Sequence, residues 1–163
     1  MCSSDLLARD VTYTQTNAVV RIMPLGDSIT YGSGTAGGYR LPLYQMLTNA
    51  GYRVDYVGTR TDNGAGALPD SNHQGLSGWR ISIAGSGLVE NMRDWFAAVD
   101  DPHIVLVHIG TNDSDETNRF ARTAIANLDA LITRIAECQP SAHIIVTRSE
   151  ERRVGKECRS RWS

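Results

Sequence analysis

A chain of 163 residues with 41% hydrophobic and 21% charged residues is long enough for one domain with its own core. The formal net charge of −2 gives no indication of nucleic acid or an anionic membrane as a partner, and no apolar stretch approaches the ~20 residues of a membrane-spanning helix. Three cysteines without metal-ligand or disulfide spacing, and the lack of a P-loop or a G-x-G-x-x-G motif, predict neither a metal nor a cofactor.

Strands and helices are predicted to alternate along the chain. In chain order they are a strand at Ala18–Leu25, a helix at Tyr39–Ala50, a short strand at Val54–Val57, a long loop at Thr59–Ser77, a mostly helical segment at Ile81–Val99, a strand at His103–Ile109, a helix at Thr117–Cys138 and a strand at Ala142–Val146. The last helix is amphipathic, with apolar residues at helical spacing: Ala121, Ile125, Leu128, Leu131, Ile132 and Ile135.

This order predicts an α/β fold with a parallel sheet, right-handed crossovers and helices on both faces. The strand at His103–Ile109 is apolar throughout and is therefore expected to be buried on both faces. After the fourth predicted strand, more helix and a fifth strand would follow in such a fold. We therefore expect the sheet to be truncated after strand four, with apolar surface exposed at the new edge.

Both ends of the chain look foreign to this pattern. The charged residues 148–163 lack periodicity and hold the chain's only lysine, and a solvated basic tail is the ordinary interpretation of such a segment. However, Arg148-Ser149-Glu150-Glu151 can be encoded by AGATCGGAAGAG, whose reverse complement, read after TG, encodes residues 2–6. The two ends thus resemble translations of both strands of one sequencing adapter. We expect the domain to comprise residues 7–147, with 1–6 and 148–163 as non-native ends.

Ser28 is the candidate nucleophile. It follows the first strand in Gly26-Asp27-Ser28-Ile29-Thr30, where a strand-to-helix turn can present its hydroxyl to a cleft. The ordinary interpretation of this turn is a serine or aspartate helix cap. Ligands of open α/β sheets bind outside the carboxyl ends of the strands, so a second motif in an equivalent position favours the functional interpretation.

That second motif is Gly110-Thr111-Asn112-Asp113, directly after the strand at His103–Ile109. The side-chain amide of Asn112 can donate a hydrogen bond to a developing oxyanion, although Asn is also an ordinary turn residue. The backbone N–H of Gly78 can serve the same oxyanion because glycine permits close approach, although it can equally be a plain loop glycine.

Together these residues resemble the SGNH hydrolases, the GDSL-type esterases. The resemblance covers nearly all of residues 7–147 and implies a flavodoxin-like three-layer α/β/α sandwich. It assigns the nucleophile to Ser28 and the oxyanion hole to Gly78 and Asn112, with no cofactor. Ile29 stands where the family usually has leucine.

A narrower resemblance is to carbohydrate esterase family three, which consists mainly of acetylxylan esterases. It rests on four segments: Arg21–Ser28, Gly37–Arg40, Val54–Gly58 and His73–Arg80. This resemblance implies an acetyl ester on a polysaccharide such as xylan as the substrate, and relatives of this kind are usually secreted. The chain itself shows no secretory signal, so its localisation stays open. Trp79 and Tyr31 either line a sugar-facing cleft or are packing residues.

The family takes its catalytic base from a late Asp-x-x-His block beyond the fifth strand, and we expect the catalytic Asp and His to be absent from this chain. Three histidines, His103, His108 and His143, lie in or beside predicted strands, where a structural role is expected. His73 is the only histidine expected near the cleft. Without an oriented base a serine hydroxyl is a poor nucleophile, so the chain is predicted to be inactive or nearly so.

Two other functions stay open at this point. The same fold can hydrolyse lipid or other small acyl esters, although residues 7–147 show no exposed apolar stretch suited to acyl chains. Alternatively, a non-catalytic relative could keep a carbohydrate-binding cleft without the base. For each of these functions, neither a nucleic acid nor a membrane is expected as a partner.

Sequencing the source gene across the Thr147–Arg148 junction tests the adapter interpretation. We expect the natural reading frame to continue into another strand and an Asp-x-x-His block. If residues 148–163 are instead encoded in the genome, the adapter interpretation is wrong and a base-free binding protein becomes the better interpretation.

Overall fold

The structure, a computed structural model, describes residues 18–147 except 65, 67, 85, 86 and 114–118, with the backbone alone for residues 119–122. The predicted end segments and the predicted helix start at Thr117 lie outside this part of the chain. The elements, in chain order, are β1 Val19–Gly26, α1 Ser28–Tyr31, α2 Arg40–Asn49, β2 Arg53–Tyr56, β3 Gln74–Gly75, α3 Leu88–Ala97, β4 Ile104–His108, α4 Arg119–Cys138 and β5 His143–Thr147.

The strands of the described sheet are all parallel, in the order β2-β1-β4-β5, and β1 is central. The short strand β3 pairs with the end of β1, through Leu25 with Gln74 and Gly26 with Gly75. The predicted parallel α/β sheet is therefore confirmed. The prediction of an unbroken loop over residues 59–77 is wrong, because β3 lies inside it, and the last described strand is accordingly the fifth.

Alternate residues of β1 enter two different cores, as the period of a strand requires. On one face Met23 and Leu25 pack with α3 and α4. On the other face Ile22 packs with β2 and with the apolar side of α2. Helices thus cover both faces, and the predicted three-layer arrangement is confirmed.

Two helices differ from their predictions. Helix α3 begins at Leu88 and not at the predicted Ile81, and the carbonyl groups of Arg80 and Ile81 instead accept hydrogen bonds from the N–H groups of Leu88 and Val89, both at 3.1 Å. The predicted stripe on α4 is also partly wrong. Leu131 and Ile135 are buried as expected, whereas the side chain of Ile125 is 72% exposed.

One edge of the described sheet is β5, and it carries exposed apolar residues. Ile145 is 46% exposed and Val146 is 43% exposed, which agrees with the apolar surface expected at this edge. No helix within the described residues is long and apolar enough to span a membrane.

Arg40, the first residue of α2, is fully buried and binds four carbonyl groups. Its guanidinium donates to the carbonyl oxygens of Thr30 and Tyr31 in α1 at 3.1 and 3.2 Å, and to those of Asn63 and Ser71 at 3.1 and 2.9 Å. Burial lowers the pKa of Arg40 from its ordinary value. One side chain therefore joins the end of α1 to both halves of the loop between β2 and β3.

Arg40→Met should lower the free energy of unfolding by about 3 kcal/mol or more, because it leaves buried carbonyl groups without donors. Arg60→Met is the matched control: Arg60 is partly exposed and pairs with Asp62 at the surface, so its loss should cost less than about 1 kcal/mol. Urea denaturation followed by circular dichroism measures both. Equal midpoints for the two variants would contradict the role given to Arg40.

Candidate active site

Ser28 begins the helical turn α1, directly after the carboxyl end of the central strand. The carboxylate of Asp27 caps this turn by accepting the N–H of Ile29 at 3.0 Å, so the cap function belongs to Asp27. Gly26 is required by space, since a Cβ atom there would lie 1.9 Å from the carbonyl oxygen of His108. The tight approach of β1 and β4 at this point brings Ser28 to the edge where β4 also ends.

Gly78 lies in the turn that follows β3. The N–H of Leu76 donates to the carbonyl of Gly26 at 2.9 Å, which ties this segment to the end of β1. Gly78 is exposed and has φ +80°, while a Cβ atom there would meet nothing within 4 Å. Glycine is thus favoured at this position by backbone conformation and not by crowding.

Asn112 follows β4 and bonds directly to the Gly78 segment. Its Nδ2 donates to the carbonyl oxygen of Trp79 at 2.7 Å. An asparagine amide has two N–H groups, so this bond fixes the side chain and still leaves one donor. The neighbouring Asp113, for which the sequence motif predicts no role, accepts the backbone N–H of Ile81 at 3.1 and 3.2 Å.

The structure therefore brings the segments of the three predicted site residues to one edge of the sheet. Ser28, Gly78 and Asn112 follow β1, β3 and β4, of which β1 pairs with both of the others, and hydrogen bonds join the three segments. Within the described residues no group of three or more His, Cys, Asp or Glu could hold a metal ion.

The spacing Asp-x-x-His occurs twice in the chain, at Asp70–His73 and at Asp100–His103, and the expectation that the catalytic Asp and His are absent did not take these two segments into account. The Asp70–His73 pair has a structural function in the fold. His73 is fully buried, with Nε2 bonded to the carbonyl of Asp62 at 2.8 Å and Nδ1 accepting the N–H of Gly75 at 3.0 Å. Asp70 accepts the backbone N–H groups of Tyr56 and Asn72. Both ring nitrogens of His73 are thus engaged, and this segment does not provide a general base.

The remaining histidines lie in or beside strands, as predicted. His103, just before β4, bonds to Arg21 through both ring nitrogens. His143 begins β5. His108 ends β4 opposite Gly26, with its ring 6.1 Å from that of Tyr39. The expectation that only His73 lies near the cleft is therefore incomplete, because His108 reaches the same edge.

The two aromatic residues considered for a sugar cleft both have packing partners. The ring of Trp79 lies 5.4 Å from that of Trp95 and packs against the core on the α3 and α4 side. Tyr31 makes an edge contact with His73 at 6.0 Å between ring centroids. These contacts favour the packing interpretation that the sequence had left open.

A parallel sheet with helices on both faces and polar residues clustered at its carboxyl edge defines an α/β fold of the SGNH hydrolase type. The sequence model of the GDSL-like lipase/acylhydrolase family matches residues 25–160. The chain therefore belongs to this family. The match extends into residues 148–160, which the sequence analysis assigned to a non-native end, and that assignment stays a prediction.

Known relatives agree with this assignment. The chain is 40% identical over 138 residues to a multidomain esterase of Ruminococcus flavefaciens, and the match covers 75% of this chain and 18% of that protein. A solved family 3 carbohydrate esterase of Clostridium thermocellum is 34% identical, with a TM-score of 0.68 over 79% of this chain and 61% of that one. A solved serine-to-alanine mutant of an acetyl esterase, with acetate ion, is 26% identical, with a TM-score of 0.59 over 78% and 60%. The chain thus spans only part of the length of each of these relatives. The identities and structural similarity confirm the predicted resemblance to carbohydrate esterases.

His73 should make folding stability depend on pH. Burial lowers its pKa from 6.5 to about 4, so the unfolded chain binds a proton in this range while the folded chain does not. The stabilisation is fully present above pH ~6.5 and is lost as the pH falls toward 4, by up to about 3 kcal/mol. The free energy of unfolding, measured by urea denaturation at pH 7 and at pH 4.5, should change less between the two pH values for His73→Gln than for the parent chain.

His143→Gln is the control for this prediction, because His143 is exposed at the start of β5. It should keep the pH dependence of the parent. The same pH dependence in His73→Gln and the parent would show that His73 does not bind protons differently in the two states.

Proposed function

We propose that this chain is the nucleophile-bearing part of a serine esterase domain that removes acetyl groups from carbohydrate such as xylan. The observation that carries the proposal is the bond between the Asn112 amide and the Trp79 carbonyl, next to Gly78. It couples the two segments that bear the proposed oxyanion donors at the edge where Ser28 begins α1.

In the proposed reaction Ser28 Oγ attacks the acetyl carbonyl. The negative charge on the carbonyl oxygen is stabilised by the N–H groups of Ser28 and Gly78 and by the free Nδ2–H of Asn112. One such donor typically contributes about 3–4 kcal/mol to transition-state stabilisation. The sugar hydroxyl leaves with a proton, and water then releases acetate from the serine ester.

The proton on Ser28 needs a base, which the family resemblance assigns to a late Asp-x-x-His block. In our proposal neither such spacing here supplies it, because Asp70–His73 is engaged in structural hydrogen bonds and both ring nitrogens of His103 in Asp100–His103 are bonded to Arg21. Loss of triad members costs serine hydrolases roughly 10⁴–10⁶ in rate. We therefore propose that the chain by itself is inactive or nearly so.

The choice of substrate is supported by the relatives. The Clostridium thermocellum structure is a carbohydrate esterase, and the second solved structure is an acetyl esterase with acetate ion. Ser77, which directly precedes Gly78, is exposed, and its hydroxyl group lies 3.4 Å from that of the exposed Ser33. A polar rim of this kind favours a hydroxyl-rich substrate over a long acyl chain.

A chimera tests Ser28 directly. Residues 1–147 are joined to the C-terminal part of the Clostridium thermocellum esterase, and acetate release from acetylated xylo-oligosaccharides is measured. We expect turnover that Ser28→Ala lowers by roughly 10³-fold or more, while the chain without the addition stays near background. Comparing the rate on acetylated xylo-oligosaccharides with the rates on 4-nitrophenyl acetate and on a long-chain ester separates the carbohydrate substrate from the small-ester and lipid alternatives.

Two results would contradict the proposal. A folded chimera whose activity is unchanged by Ser28→Ala would exclude Ser28 as the nucleophile. Clear Ser28-dependent turnover by the chain alone would show that it already contains a base.

A further inference from the structure

The carboxylate of Asp113 is almost completely buried, with 5% of the residue exposed. Both of its oxygens accept the same backbone N–H, that of Ile81, and burial raises the pKa of this carboxyl group. Removing a carboxylate from water is costly unless it makes hydrogen bonds that the fold needs. The proposed reaction gives this residue no task, so the contact with Ile81 requires an explanation.

Asp113 and Asn112 act on one short segment of the chain. Asn112 donates to the carbonyl of Trp79, and Asp113 accepts from the N–H of Ile81, two residues further on. Because Gly78 directly precedes Trp79, these two bonds fix the backbone on the C-terminal side of Gly78. The carbonyl of Ile81 is bonded in turn to the N–H of Val89 in α3.

Gly78 itself has little to hold it in place. It is exposed, its backbone has φ +80°, and its Cβ position faces open space. The direction of its N–H therefore depends on the bonds made by the residues around it. Trp79 N–H donates to the Leu76 carbonyl at 3.2 Å, which closes the turn but does not relate it to β4. Two contacts supply that relation: Asn112 with the Trp79 carbonyl and Asp113 with the Ile81 N–H.

We propose that Asp113 is a positioning residue for the oxyanion hole. By holding Ile81, Asp113 fixes the position of the Trp79 carbonyl, and this carbonyl orients the Asn112 amide. The same contact directs the Gly78 N–H toward the oxyanion that the Asn112 amide also faces. The inference rests on the proposed function of this site. It assigns to one buried carboxylate the relative placement of two donors that come from different strands.

Nuclear magnetic resonance on the full ¹⁵N,¹³C-labelled chain can test this without turnover. The two Nδ2 protons of Asn112 should differ in chemical shift by more than those of a solvent-exposed asparagine, because one is bonded to Trp79 and the other is free. Sodium acetate, a mimic of the product carboxylate, should shift the free Asn112 proton and the Gly78 N–H. In Asp113→Ala, the Asn112 proton shifts should converge and acetate should bind about fivefold more weakly.

Two variants separate positioning from general stability. Asp113→Asn retains an acceptor oxygen for Ile81 and should restore the Asn112 shifts and the acetate affinity. Asp70→Ala is the matched control, since Asp70 also accepts backbone N–H groups but lies at another part of the fold. It should lower the melting temperature while leaving the Asn112 shifts and the acetate affinity of the parent unchanged.

The proposal is overturned if Asp113→Ala retains the Asn112 shifts and the acetate affinity of the parent, or if Asp70→Ala changes them equally. If Asp113→Ala fails to fold, the test is made on the parent chain. A scalar coupling across the hydrogen bond from Ile81 ¹⁵N to Asp113 ¹³Cγ supports the contact, and the absence of this coupling overturns the proposal. Failure of the proposed function has a different signature, because the parent chain would then show no acetate response at Asn112 or Gly78.

Discussion

The buried guanidinium of Arg40 is the constraint on which the turn that bears Ser28, the proposed nucleophile, depends. Its hydrogen-bond acceptors are four carbonyl oxygens of the backbone it organises, and the carboxylates of Asp62 and Asp70 also favour its charged form. Two of those carbonyls belong to α1, which is only four residues long and could not persist as an isolated helix. Asn63 adds to the same assembly, since its side-chain amide donates to the carbonyls of Tyr31 and Gly32. The shape of the Ser28 turn is therefore set by tertiary contacts and not by helix propensity.

The segments that bear the proposed oxyanion donors are organised in a different way. There the side chains at the end of β4 bond to the backbone that follows β3, although these two strands are not neighbours: both pair with β1. The central strand thus determines the spacing, and Asn112 and Asp113 bridge across its end. Gly26 makes this possible, because any side chain at that position would push β1 away from the carbonyl of His108.

Most of the fold could be predicted from the sequence because its long elements carry clear periodicity: the apolar strand at β4 and the amphipathic helix α4 are examples. The misses follow from elements that carry no periodic signal. The two residues of β3 are too few to show alternation, and residues 80–81 bond to the start of α3 through backbone groups that any sequence possesses. Ser28, Gly78 and Asn112 could be proposed from local motifs, whereas the functions of Arg40, Asp70, His73 and Asp113 depend on burial and on partners elsewhere in the fold. A spacing such as Asp-x-x-His cannot by itself distinguish a catalytic pair from a structural one.

The close sequence spacing of the contacts around Ser28 has a consequence for how the domain is made. Asp27, Tyr31, Arg40, Asn63 and Ser71 all lie within a stretch of under fifty residues, so the loops that must close to form this assembly are short and entropically cheap. During synthesis on the ribosome, this assembly can order before β4 and its Asn112 have been translated. The turn that bears Ser28 would then serve as a template to which β4 later adds Asn112, so that the proposed nucleophile is placed before one of its proposed oxyanion donors.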